Sequence, residues 1–129
     1  MSLRIFYHPH YSSLTLPERH RFPLAKYQAI YQHLAALGYP LAEAPAASRE
    51  QIARVHDADY VEAALTGQLE REAIRRLGFP WSPMLIERTL RSVGATVAAS
   101  RHALEQGCGL QISGGYHHAH RDFGSGFCL

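Results

Sequence analysis

The chain has 129 residues, enough for one domain with a buried core. Its formal net charge is only +2, with basic residues scattered among acidic ones, which removes the electrostatic case for a nucleic-acid or membrane surface. No apolar run approaches the roughly 20 residues of a transmembrane helix, no basic start with an apolar run marks a secretion signal, and two cysteines, Cys108 and Cys128, without CxxC spacing fit a reduced, cytoplasmic protein.

The elements follow in chain order. Residues 3–7 are an apolar run ended by His8-Pro9 and read as a first strand. Residues 8–23 hold three prolines and no period, as a loop does. Leu24, Tyr27, Tyr31 and Leu34 recur at helical spacing, with Gly38 as the stop, so a helix covers about 24–37. A short edge strand falls at 41–44. Ser48 and Gln51 have capping-box spacing, which starts a short helix. Asp57 is placed to cap another, carrying Tyr60, Val61, Ala64 and Leu65 and closed by Gly67. Residues 69–77 are helical again and stop at Gly78; their Glu70, Arg71, Glu72, Arg75 and Arg76 describe a solvated face.

Ser82-Pro83 is an N-cap followed by proline at the first helical position. Ile86, Leu90, Val93 and Val97 form an apolar stripe that Leu104 extends, and Gly107 closes the helix. Residues 110–113 form a last strand, broken by Gly114-Gly115. A strand, then helices, then a strand predicts an α/β fold with parallel strands. There is no internal repeat.

Nine histidines are many for this length, and His117, His118 and His120 fall together directly after the glycine pair. In parallel α/β sheets ligands bind beyond the carboxyl ends of strands, and glycines there admit close backbone approach. Two adjacent histidines at such a place suit proton transfer near neutral pH. A run of histidines can equally be a metal site, although only Asp122 stands nearby to complete one. The residues alone leave both readings open. His8, His10, His33 and His102 read as surface residues.

Gly114-Gly115-Tyr116-His117-His118-Ala119, followed by Gly124-Ser125-Gly126-Phe127-Cys128, resembles the active-site signature of the histone deacetylase superfamily. Further segments agree: Tyr7-His8-Pro9, Pro17 to Pro23 before the first long helix, and Val55-His56-Asp57-Ala58-Asp59-Tyr60. The loop Gly78-Phe79-Pro80-Trp81-Ser82-Pro83 is most similar to bacterial, class IV-like members.

The resemblance implies a three-layer α/β/α arginase/deacetylase fold, with the first strand between the second and the one leading to the glycine pair. It implies that His117 and His118 flank a zinc-bound water, polarising it and returning a proton to the leaving amine. It places Gly126 and Phe127 on a narrow acyl-lysine tunnel, Tyr116 at the variable position before the histidines, and Arg21 in an internal channel. Pro80 stands where many members carry an aspartate that grips the substrate backbone.

The family's zinc ligands and transition-state tyrosine lie downstream of any residue here. The chain is thus expected to be the N-terminal portion of the domain, to bind no zinc and to be inactive alone. The complete domain would hydrolyse an acetylated amine or acyl-lysine. Two alternatives stand beside this: a truncated, self-associating, non-catalytic domain, and a small metal-binding protein using His117, His118 and His120. An exposed edge on strand 110–113, with Phe123, Phe127, Cys128 and Leu129 bare beside it, predicts a homo-oligomer. A loop folded back over that edge would leave a monomer.

Overall fold

The computed structural model describes residues 2–129. Strand β1 (Ile5–Tyr7) is followed by a 3-10 turn (Pro9–Ser12) and helix α1 (Lys26–Ala36). Strand β2 (Leu41–Glu43), the short helices α2 (Arg49–Ala53), α3 (Ala58–Thr66) and α4 (Arg71–Leu77), the long helix α5 (Pro83–Gln106) and strand β3 (Leu110–Gln111) complete the order.

The sheet is parallel, in the order β2-β1-β3. Ile5 faces Leu41 on one side and Leu110 on the other. The first strand is therefore central, as expected, and all three residues of β1 are buried. β3 is an edge, and Leu110 on it is 52% exposed.

Local chemistry accounts for the boundaries. Ser48 Oγ accepts from the Gln51 amide and the Gln51 side chain accepts from the Ser48 amide, closing the predicted capping box. Ser82 Oγ accepts from the Leu85 amide at 3.0 Å, and Pro83 opens α5 at a position where its missing N–H costs nothing. α5 ends at Gly107 with φ 91°, a left-handed cap that glycine adopts freely.

Asp57 departs from expectation. It occupies the N-cap position of α3, but its carboxylate makes no capping bond. Instead Asp57 Oδ1 accepts from Arg121 Nε at 2.5 Å, because a charged donor outcompetes a neutral amide for the same oxygen.

The apolar stripe of α5 needs a second correction. The buried face runs Leu85, Arg88, Ser92, Ala95 and Ala99, at spacings of three and four. Ile86, Leu90, Val93 and Val97 flank that face, and only Ile86 among them is fully buried. Leu104 continues the flanking row, not the buried one, and is 88% exposed.

Two clusters fill the interior. One joins Phe6, Tyr7, Tyr11 and Tyr27 to Ala95 and Ala99 of α5, with Tyr31 stacked on Tyr7. The other joins Leu14, Leu77, Phe79 and Leu85, with Phe22 and Phe127 packed against it. His8, expected at the surface, is 7% exposed. Its Nδ1 accepts from the His10 amide at 3.0 Å, which leaves Nε2 as the protonated nitrogen, 3.7 Å from Glu43 Oε1. Burial, with help from His10 and Arg91 and against Glu43 and Glu87, holds its pKa below the usual histidine value. Among the described residues no helix is long and apolar enough to cross a membrane.

Candidate active site

β3 ends at Gln111, two residues short of the expected strand, and in the loop after it Ser113 Oγ lies 2.6 Å from Ser92 Oγ inside the core. Gly114 takes φ 78°, turning the chain away from the sheet. Nothing lies within 4 Å of a side-chain carbon built on Gly114 or Gly115, so the backbone is open to an approaching molecule.

His117 and His118 are both exposed, their ring centroids 4.2 Å apart and inclined at 49°. The chain then doubles back. Ala119 bridges Gly124, Ser125 bridges Cys128, and the Ser125 amide donates to His118 O at 3.2 Å. This hairpin brings Gly126 to the histidine pair, where an added Cβ would sit 3.0 Å from His118 Cδ2.

Phe127 has φ 68°, a left-handed backbone that a bulky residue adopts only under constraint. The constraint is visible. Its amide donates to Leu77 O at 2.8 Å, and its ring packs on Phe79, Phe22 and His20 with centroids 5.0–5.4 Å away. Cys128 is buried and Leu129 half-buried. The loop thus folds back on its own body, and Phe127 and Cys128 do not lie bare beside the β3 edge.

The start of α3 staples the far side of the loop. His56 Nδ1 donates to His120 O at 2.8 Å, the Asp57 amide donates to Arg121 O at 3.0 Å, and Arg121 returns to the Asp57 carboxylate.

The structure therefore brings Gly126 to the His117–His118 pair, while the next residue, Phe127, turns its ring onto Phe79, Phe22 and His20. Tyr116 turns inward instead, its hydroxyl accepting from Arg88 Nη1 at 3.2 Å. Arg21 is exposed and donates to no protein acceptor among the described residues. The arginine enclosed behind the histidine loop is Arg88, 1% exposed. Its Nε donates to Tyr11 O at 3.0 Å, and its guanidinium lies 5.0 and 5.1 Å from the ring centres of Phe22 and Tyr27. Burial raises the Tyr27 pKa, and the nearby Arg88 opposes that rise.

Two participants were not legible in the residue pattern. Arg88 shares the 85–88–92–95–99 spacing, but the louder apolar row beside it masks that face. His20 accepts from the Phe22 amide through Nδ1 and so donates through Nε2 to Gly78 O at 2.8 Å, and its ring stacks on Phe79 beside the tilted Phe127 ring. No spacing rule marks it.

A metal has no evident seat in this arrangement. Among the described residues no group of three or more histidine, cysteine or carboxylate side chains is close enough to hold an ion. His120 stacks on Phe123, and Cys128 Sγ contacts Gly126 O at 3.7 Å.

The sheet is parallel, and the paired histidines, faced by the glycine hairpin, follow the carboxyl end of β3, the end at which α/β proteins of this class bind ligands. The histone deacetylase domain model matches residues 20–129, and the chain belongs to that family. It is 38% identical over 133 residues to an uncharacterized protein of Picosynechococcus sp., an alignment covering 100% of this chain and 44% of that protein. The chain thus spans less than half the length of that relative.

Proposed function

We propose that this chain supplies the histidine half of an amide-hydrolysing site, acting on an acetylated amine or acyl-lysine. The observation that carries the reading is the exposed His117–His118 pair at 4.2 Å, faced by Gly126, in a member of the histone deacetylase domain family. The family suggests zinc, and the residues of this chain do not fit one by themselves. The steps assigned here use only the histidines.

One imidazole accepts a proton as water adds to the acyl carbonyl. As the C–N bond breaks, a proton passes from the pair to the leaving nitrogen. The two rings lie side by side, their centroids 4.2 Å apart, and the proton-transfer roles are assigned to the pair. Gly126 leaves room for a narrow substrate beside His118, and the Phe127 ring supplies an apolar wall below it. The loop Gly78 to Pro83 supports a place among bacterial, class IV-like members. Two free cysteines suit a reduced cytoplasmic setting.

The test uses an acetyl-lysine reporter with zinc, on the 129-residue chain and on a longer protein that carries it. The longer protein should turn over, and His118→Ala should lower that turnover by about 10²–10⁴-fold with metal content unchanged. Loss of zinc on substitution would make His118 a ligand and overturn its assigned role. The 129-residue chain should show no turnover above its own His117→Ala, His118→Ala double variant.

A further inference from the structure

We infer that Arg88 and Tyr116 form a positioning pair that holds the tandem histidines over the end of β3. The catalytic consequence rests on the function proposed above; the ordering of the loop does not.

The problem is one of tethering. Residues 114–117 begin at two glycines with open space around them, so the backbone there has wide freedom. On the upstream side, Gly114 O accepts from the Gln111 side chain. On the downstream side, His118 O is held by Ser125, and His120 O by His56. Between these lies the Tyr116 hydroxyl, bonded to Arg88 Nη1 at 3.2 Å. His117 follows Tyr116 directly, so the direction in which residue 116 points sets the start of the histidine pair.

Arg88 is suited to be an anchor rather than a reactant. It is 1% exposed, and among the described residues no carboxylate lies within ion-pair distance of it. A buried guanidinium without a counterion is costly unless its donors are used. Here Tyr11 O takes Nε, Tyr116 Oη takes Nη1, and two aromatic faces flank the plane. The head group is therefore fixed in direction from three elements, and a rigid fork of this kind presents Nη1 at one place. An apolar residue at 88 could fill the volume but could not aim the tyrosine. The charge makes sense as a hydrogen-bond anchor for the loop.

The test is Tyr116→Phe, which keeps the ring and removes the hydroxyl, read by backbone ¹⁵N relaxation of the 129-residue chain. Order parameters at residues 114–118 should fall from the rigid range near about 0.85 to below about 0.6, with the thermal midpoint little changed. Arg88→Lys keeps the charge without the fork and should loosen the same residues. If that variant fails to fold, Tyr116→Phe alone decides. Unchanged order parameters in Tyr116→Phe would overturn the inference.

In a longer protein that turns over, Tyr116→Phe should lower kcat about tenfold, the scale of one hydrogen bond from a charged donor, and leave KM and metal content alone. A loosened loop with unchanged kcat would refute the positioning role while leaving the proposed function intact. Absence of turnover in the unsubstituted protein would instead refute that function, and the relaxation result would still decide the anchor.

Discussion

Gly94 lies in the middle of α5, where helix propensity alone favours alanine by about 1 kcal/mol. The packing opposes that preference. A Cβ at position 94 would lie 1.9 Å from Pro45 O and 2.8 Å from both Pro45 C and Ala47 N. Those atoms are backbone and cannot swing aside as a side chain would. They are also tied to the same helix, since the Ala47 amide donates to Leu90 O at 2.8 Å and Arg91 Nη1 to Ala44 O at 3.0 Å. Admitting a methyl group therefore means displacing the 44–47 strap and straining bonds on both sides of the contact.

Overpacking of this kind costs typically about 1–3 kcal/mol, and a strained backbone bond adds about 1. After the propensity gain, Gly94→Ala should be destabilising by about 1–3 kcal/mol. For a domain of this size that lowers Tm by roughly 4–12 °C. Thermal unfolding followed by far-ultraviolet circular dichroism measures it. Gly38→Ala is the control: nothing lies within 4 Å of its Cβ, so it bears only its left-handed φ of 78°, about 1–2 kcal/mol. A Gly94→Ala protein melting at or above the wild-type temperature would show that the helix does not pass this close to the strap.

The buried His8 carries a pH prediction: with its folded pKa held below the ordinary value, the unfolded chain binds the proton more readily, so stability present above the unfolded pKa is lost as pH falls toward the folded one. Tm should drop on acidification from neutral pH, and more steeply than in His8→Gln; parallel curves would remove His8 as the cause. The unpaired edge of β3, with Leu110 exposed on it, should recruit a second copy through strand pairing. Sedimentation at micromolar concentration should then show a dimer, and a single species near 14.4 kDa would rule the edge out as an interface.

Elements marked by local chemistry were legible to within a residue or two. The capping box at Ser48, the Ser82-Pro83 start and the glycine stops at 67, 78 and 107 each act through neighbouring backbone groups, so their signal is contained in a few residues. The tandem histidines and the glycine hairpin were legible for the same reason: they follow one another in the chain. What pattern could not supply was competition. Asp57 is a sound N-cap by type, but Arg121 stands 64 residues away in sequence and takes its carboxylate. The same holds for α5, where the strongest apolar row marks a flank and the buried face carries an arginine and a serine. His8 shows the limit from the other side, since a strand-end histidine looks solvated until the 3-10 turn and β2 close over it.

The arginine on the buried face of α5 shows why distant contacts escape the pattern. β1 and β3 are neighbours, and both run toward the face that carries the histidines. The chain leaving β1 reaches Tyr11, whose carbonyl accepts from Arg88 Nε, and the chain leaving β3 reaches Tyr116, whose hydroxyl accepts from Arg88 Nη1. One guanidinium on α5 thus ties the exits of two adjacent strands, through residues separated by 77 and 28 positions in the chain. Each of the three looks ordinary in its own stretch: a loop tyrosine, a helix arginine, a residue beside a histidine. Their joint role comes from the parallel register that sets Ile5 against Leu110, which makes the two exits adjacent. A helix crossing beneath both exits can brace them with a single long side chain only if that chain is rigid, multiply donating and charged at all working pH. Arginine meets those requirements, and lysine, with one compact donor head, does not.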